Sequence, residues 1–248
     1  MSLPLSGRRA LVTGGSRGIG AATVRRLAAD GADVAFTYQS SAQRADDLAA
    51  ELSQHGPTVV ALQADSADPE AIRGAVDAAA TALGGLDILV NNAGVGAFGT
   101  VDSFPLEEFD RLVAVNVRGV FVASQAAVPH FTTNGRIITI GSVNGDRIPV
   151  AGLAVYAMTK SAVAGLTRGM ARDLGPRGIT ANNIAVGPTD TDMNPDNEGE
   201  LAQGNRAATA LGRYGQPDEI ASVVAYLALP ETGYVTGATW TVDGGFNA

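Results

Sequence analysis

Short apolar runs alternate with longer stretches whose apolar residues recur at helical spacing, and the alternation continues along the chain. Ala10-Leu11-Val12, Val34-Ala35-Phe36, Val59 to Leu62, Ile88-Leu89-Val90 and Ile137 to Ile140 lack the in-and-out pattern of a half-exposed strand. Such runs predict strands covered on both faces. Ile179 to Val186 predicts a sixth strand and Thr239 to Val242 a last one. Helices are predicted from Gly20 to about Ala29, Ser41 to Ser53, near Asp68 to Leu83, Pro105 to about Val128, near Gly152 to Leu174, and Asp218 to Leu229. Gly31, Gly56-Pro57, Gly84-Gly85, Asn134-Gly135 and Gly175-Pro176-Arg177-Gly178 punctuate them. Strand and helix in strict turn predict an α/β fold around a parallel sheet. The composition turns polar and acidic from Asn194 to Gly212, so residues 188–213 are expected to form a mobile lid over a substrate.

Neither a linker nor an internal repeat interrupts the pattern, and residues 1–248 read as one domain. An apolar content of 46% with 31 glycines fits a full core joined by tight turns. The chain has no cysteine, which excludes disulfides, zinc-thiolate sites and thiol nucleophiles. Its two histidines, His55 and His130, cannot make a three-histidine metal site, and no metal is expected. A net charge of -8 argues against the basic footprint of a nucleic-acid binder. Met1 to Ser6 lacks the charge and apolar run of a signal peptide, and no uninterrupted apolar run approaches the ~18 residues of a membrane span. A soluble cytoplasmic protein is expected.

The first strand runs straight into Thr13-Gly14-Gly15-Ser16-Arg17-Gly18-Ile19-Gly20 and then a helix. Strand, glycine turn and helix form the context of a dinucleotide fingerprint. The glycines let the backbone approach a pyrophosphate, and the helix N-terminus faces its charge. The same letters match the G-x-S-x-G elbow of a hydrolase, but no histidine follows His130 to complete that triad. In NAD-preferring sites an acid near the end of the second strand grips the ribose 2′-hydroxyl. Here Thr37-Tyr38-Gln39-Ser40-Ser41 contains none, and Asp33 lies at the wrong end of the strand. Arg17 can pair instead with a 2′-phosphate, helped by Ser40 and Ser41, so NADP(H) is expected over NAD(H). Asp65, with Ser66, is placed to accept from an adenine amine, or to cap the next helix. Asn92, Ala93 and Gly94, at the end of the fourth strand, approach the ribose or simply make a turn.

The chemistry is concentrated between Ile137 and Leu174. The strand Ile137 to Ile140 delivers Ser142, and the following helix carries Tyr156 and Lys160, four apart and therefore on one face. A phenol beside an ammonium makes a proton donor, because a nearby cation lowers a phenol pKa from its ordinary value of about 10. A serine hydroxyl beside them can hold a carbonyl oxygen while the proton moves. Asn116, polar amid apolar neighbours, needs a structural bond or an ordered water.

Together the glycine turn, Asn91-Asn92-Ala93-Gly94, Asn116, Ser142, Tyr156 and Lys160 resemble the short-chain dehydrogenase/reductase family over essentially the whole chain. The resemblance implies a Rossmann-type, doubly wound sheet of seven parallel strands and a homo-oligomer, commonly a tetramer. It implies that Tyr156 is the general acid as hydride reaches a carbonyl carbon, or the base in reverse. Lys160 would assist Tyr156 and bind the nicotinamide ribose, Ser142 would hydrogen-bond the substrate oxygen, and Asn116 would hold a water linking Lys160 to solvent. Asp65 and Ser66 look like adenine contacts. Gly187 to Met193, with Thr189 and Thr191, looks like the segment bracketing the nicotinamide. The family usually has Pro-Gly where this chain has Val186-Gly187, which leaves Pro188 to stiffen the turn. Within the family the chain is similar to bacterial 3-oxoacyl-carrier-protein reductases and carbonyl reductases. Gly141 to Arg147 is also similar to cyclic-di-GMP-binding members of biofilm dispersal. The substrate is therefore expected to be a ketone, an aldehyde or a β-ketoester or 3-oxoacyl compound, with a small ketone or aldehyde preferred and a cyclic-dinucleotide-responsive binding protein as the alternative.

Overall fold

The structure, a computed structural model, describes residues 3–54 and 56–248. Met1 and Ser2 of the N-terminal segment, and His55, lie outside them. Seven strands form one parallel sheet: β1 (Arg9–Val12), β2 (Asp33–Tyr38), β3 (Val59–Gln63), β4 (Leu86–Asn91), β5 (Phe131–Ile140), β6 (Thr180–Val186) and β7 (Thr239–Val242). Their order is β3-β2-β1-β4-β5-β6-β7. The chain works outward from β1 in one direction and then from β4 in the other. The crevice at that reversal, outside the carboxyl ends of the strands, is where such sheets bind ligands.

The helices cover both faces, which is why the central strands read as apolar runs. Helices α1 (Gly18–Ala29), α2 (Ala42–Ser53) and α8 (Pro217–Ala228) lie on one side, where Val12, Val34, Val90 and Ile184 join Leu27, Leu48 and Val224 in one buried cluster. On the other lie α3 (Pro69–Leu83), the Leu106–Ala127 helical run and α6 (Ala154–Leu174), whose Val76, Val122 and Met170 pack with Leu11, Leu89 and Ile137. Local chemistry sets the ends. Asp68 accepts from the Glu70 and Ala71 amides ahead of Pro69, and Gly84 ends α3 with φ of 75°. In α8, Gln216 and Glu219 form a reciprocal capping box beside Pro217.

Three elements differ from the pattern read above. The predicted helix from Pro105 to Val128 is divided into α4 (Leu106–Val113), a π turn (Ala114–Gly119) and α5 (Val120–Ala127). Strand β5 begins at Phe131 rather than Ile137; it runs through Asn134-Gly135, with Asn134 in the left-handed region at φ of 54°. The segment expected as a lid contains α7 (Glu200–Ala208), which buries Ala202. The Leu106–His130 run is long and apolar enough to cross a membrane by composition, but half of its most apolar window is buried within the protein.

Candidate active site

The glycine turn leaves β1 at the reversal point and is tied on both sides. The Gly14 amide donates to Thr37 Oγ1 on β2 at 3.0 Å. Asn92, just past β4, donates from Nδ2 to the Thr13 and Gly14 carbonyls, both at 2.9 Å. Thr13 Oγ1 in turn accepts from the Asn92 and Ala93 amides at 3.0 and 3.1 Å. This lattice leaves no room for a side chain at Gly20, where a Cβ would collide with the Gly14 carbonyl and lie 2.5 Å from Asn92 Nδ2. Arg17 is the N-cap of α1 and supplies no side-chain cap, and the first turn carries no acid. Bare amides at a helix N-terminus are suited to a phosphate.

The other residues singled out in the sequence lie along the same carboxyl edge. Ser40 follows β2 and is exposed. Asp65 and Ser66 follow β3; Asp65 Oδ1 accepts from the Ala67 amide at 2.8 Å, and the cap of α3 is Asp68 instead. The loop after β6 reaches back over the turn. A Cβ on Gly18, which has φ of +52°, would lie 3.3 Å from Thr191 Cγ2, and one on Gly96 would lie 3.7 Å from Met193 Sδ. Val186 is buried at the end of β6 and paired with Val242. Bonds hold the next turn without the family's proline: Gly215 donates to the Pro188 carbonyl at 2.9 Å, and Thr189 Oγ1 to the Gly187 carbonyl at 3.1 Å.

Lys160, Asn116 and Gly94 converge. A Cβ placed on Gly94 would lie 3.5 Å from Asn116 Oδ1 and 3.7 Å from Lys160 Nζ. Lys160 is buried; its Nζ donates to the Ile140 carbonyl at 3.0 Å and lies 5.7 Å from the centre of the Tyr156 ring. One bond leaves two of the ammonium's donors for other partners. Asn116 sits in the π turn, which rotates it inward: Oδ1 accepts from the Val95 amide at 2.9 Å, and Nδ2 donates to the Val95 carbonyl at 2.9 Å and to Thr159 Oγ1 at 3.1 Å. Thr159 Oγ1 donates to the Tyr156 carbonyl at 2.7 Å, which connects the π turn to the helix bearing the phenol.

Ser142 caps a short 3₁₀ turn, Val143–Gly145, and its Oγ accepts from the Asn144 amide at 3.1 Å. With that lone pair engaged, the hydroxyl proton is free to point at a substrate oxygen. The turn is held against α6 by Ser161 Oγ, which donates to the Gly145 carbonyl at 2.6 Å. From below it rests on the C-terminal tail. Val143, Ala185 and Phe246 form a buried cluster, and Arg147 Nη1 donates to the Phe246 carbonyl at 2.7 Å.

Sequence reading missed several residues of this site: Thr13, Thr37, Thr159 and Phe246, which position others, and Arg44, whose Nη1 meets Asp192 Oδ2 at 3.3 Å beside Arg17. Each is paired with a residue distant in the chain or on another element. Only Thr13, lying inside the glycine motif, carried a local signal.

The family model described as enoyl-(acyl carrier protein) reductase matches residues 14–247. A short-chain dehydrogenase/reductase from Serratia marcescens is 57% identical with a TM-score of 0.97, over 99% of this chain and 100% of its own. A short chain dehydrogenase from Burkholderia cenocepacia, solved in complex with NADP, is 53% identical with a TM-score of 0.96, over 99% and 100%. The cyclic-di-GMP-binding biofilm dispersal mediator protein of Escherichia coli is 48% identical over 98% of both chains. With a seven-stranded parallel sheet, a family model over residues 14–247 and relatives alike over nearly their whole length, the chain belongs to the short-chain dehydrogenase/reductase family of oxidoreductases.

Proposed function

We propose that the protein is an NADP(H)-dependent carbonyl reductase that works reversibly on a small ketone, aldehyde or β-ketoester. The observation that carries this reading is the buried Lys160 ammonium beside the Tyr156 ring, with the Ser142 hydroxyl proton uncommitted. A binding module has no need of a proton relay. The glycine turn fits a dinucleotide because Gly20 admits no Cβ and the α1 N-terminus is bare. The guanidiniums of Arg17 and Arg44 at its rim favour a 2′-phosphate, and the related Burkholderia dehydrogenase was solved with NADP.

When bound, NADPH supplies the hydride. Gly14, Ser16, Gly18, Ile19 and Gly20 would cradle its pyrophosphate, Asp65 and Ser66 its adenine, and Asn92, Ala93, Gly94, Tyr156 and Lys160 its nicotinamide ribose. Gly187, Thr189, Thr191 and Met193 would bracket the nicotinamide. Ser142 donates to the substrate oxygen and orients it. Tyr156 delivers its phenolic proton to that oxygen as the alcohol forms, and the Lys160 charge stabilises the phenolate left behind. Asn116 holds the Val95 loop and, through Thr159, the first turn of α6; a water on Lys160 returns the proton from solvent. Residues 188–213 close over the substrate, anchored by Tyr214, which accepts from Asn205 at 2.8 Å. The protein acts as a cytoplasmic homotetramer. The half-exposed Tyr226, 5.6 Å from Trp240 on edge strand β7, favours a partner at that edge.

Loss of NADPH and NADH absorbance across a panel of ketones, aldehydes and β-ketoesters, with Tyr156→Phe alongside, tests the reading. Turnover that prefers NADPH and collapses in the variant supports it. Cofactor binding without turnover of any carbonyl favours a second reading, a cyclic-dinucleotide-responsive protein, which the Escherichia coli relative motivates. Calorimetry with cyclic-di-GMP decides that one: no heat at high ligand concentration ends it.

A further inference from the structure

Three charged side chains from distant parts of the chain meet at the rim of the cofactor groove. Asp192 Oδ2 accepts from Arg17 Nη1 at 3.4 Å and from Arg44 Nη1 at 3.3 Å. Arg17 is the residue just before α1, Arg44 lies in the first turn of α2, and Asp192 belongs to the loop after β6. This loop rests on Gly18 through Thr191, so the Asp192 contacts strap it across the mouth of the groove.

The positions of the two arginines are unusual for structural cations. Each stands at the N-terminal end of a helix, where the dipole disfavours positive charge, and neither helix has an acid in its first turn. Among the described residues, Asp192 is the one carboxylate paired with either. Two guanidiniums, each borne at the N-terminal end of a helix, therefore share a single negative charge. A phosphate monoester, carrying about -1.5 to -2 at neutral pH with three acceptor oxygens, balances that field better than one carboxylate.

We propose that Asp192 is a built-in competitor for the 2′-phosphate of NADP(H). In the free chain it occupies both guanidiniums and holds the loop to the groove. A 2′-phosphate must displace it, whereas the uncharged 2′-hydroxyl of NAD(H) leaves the contacts in place. Asp192 thus lowers affinity for the phosphorylated cofactor alone and makes release of the 187–193 loop depend on which cofactor binds. Arg44 is the second half of the receptor. This rests on the NADP(H) reading above.

Binding of NADPH and NADH to the folded protein, followed by the change in reduced-nicotinamide fluorescence, tests the proposal without a known substrate. Asp192→Asn is expected to tighten NADPH about fivefold, the scale of one exposed charge pair, and to move NADH less than about twofold. The gain should vanish near 1 M salt, where the screening length is about 3 Å. Arg44→Ala is expected to weaken NADPH by about the same factor and spare NADH. Unchanged or weaker NADPH binding in Asp192→Asn overturns the proposal. So does an equal change for both cofactors, or a selective loss of NADH, which would make Asp192 a ribose acceptor instead. Arg17→Ala separates the two levels of inference. If it leaves the NADPH-to-NADH affinity ratio unchanged, the cofactor reading itself fails; if it lowers the ratio while Asp192→Asn does not raise it, only the competitor role fails.

Discussion

The Lys160 ammonium lies 5.7 Å from the centre of the Tyr156 ring and is fixed there by its bond to the Ile140 carbonyl, 3.0 Å away. Strand β5 therefore positions the cation, while α6 carries both residues one turn apart. In the proposed mechanism the lysine gives two donors to the cofactor ribose, whereas the proton of the phenol goes to the substrate oxygen. Their substitutions should consequently separate. Tyr156→Phe is expected to lower kcat by about 10²–10⁴-fold, the usual range for a lost general acid, and to weaken NADPH only by the loss of one ribose contact. Lys160→Met should lower kcat comparably and weaken NADPH as well. Single-turnover kinetics beside cofactor titration provides both numbers, and equal loss of NADPH binding in the two variants would contradict the division of roles.

Gly20 offers a test of the cofactor groove that needs no substrate. A methyl group there meets the Gly14 carbonyl and Asn92 Nδ2, two groups bonded to each other at 2.9 Å. Gly20→Ala must push the turn away from Asn92 and break that bond. Loss of NADPH binding by about 5- to 150-fold is expected, since an unmade buried bond costs about 1–3 kcal/mol. Far-ultraviolet circular dichroism should stay that of the wild type. A variant that folds and binds NADPH normally would remove the glycine turn from the cofactor site.

How much of this was readable in the chain depends on where the partner of each residue lies. The strands and most helices were legible because burial on both faces leaves uninterrupted apolar runs such as Ile88-Leu89-Val90. Ser142, Tyr156, Lys160 and Asn116 stood out as a set, through spacing and family resemblance. Helix α7 was not, because only Ala202 is buried and its other residues give no apolar stripe. The π turn at Asn116 also leaves no periodic mark. Arg44 read as one more charge on a polar helix; its significance comes from Asp192, 148 residues away.

Acid sensitivity at the base of α8 follows from Glu219. Its carboxyl is held down at about 2 by the Arg213 hydrogen bonds first and by the Gln216 amide second. A folded value below the unfolded one of 4.5 stabilises the protein above pH ~4.5, and that contribution disappears as pH falls through about 2. Arg213 and Glu219 are each about half exposed, so solvent screening keeps the contribution of the pair small. Glu219→Gln, which keeps a cap acceptor, should lower Tm by about 2–4 °C at pH 7. The gap should close between pH ~4.5 and ~2. A gap independent of pH would assign the effect to the cap rather than the charge.

The C-terminal tail is the floor beneath Ser142. Phe246 is buried against Val143, the residue after Ser142, and its carbonyl receives the Arg147 guanidinium, which also lies 5.8 Å over the ring. Asp243 fixes the tail by accepting from the Gly245 and Asn247 amides, both at 2.9 Å. Removing the ring should open a cavity beneath the 3₁₀ turn and let the Ser142 hydroxyl drift from the substrate oxygen. Phe246→Ala is expected to cost about 3–5 kcal/mol of stability. In protein that remains folded, kcat should fall by about tenfold or more, because near-attack geometry is sensitive to displacements of an ångström. NADPH affinity should hold, since the glycine turn is supported from β2 and β4 and not by the tail. Phe246→Leu, which refills most of the volume, should restore kcat. Recovery of stability without recovery of kcat would make Phe246 a packing residue only, with the serine held in place by Ser161 and α6.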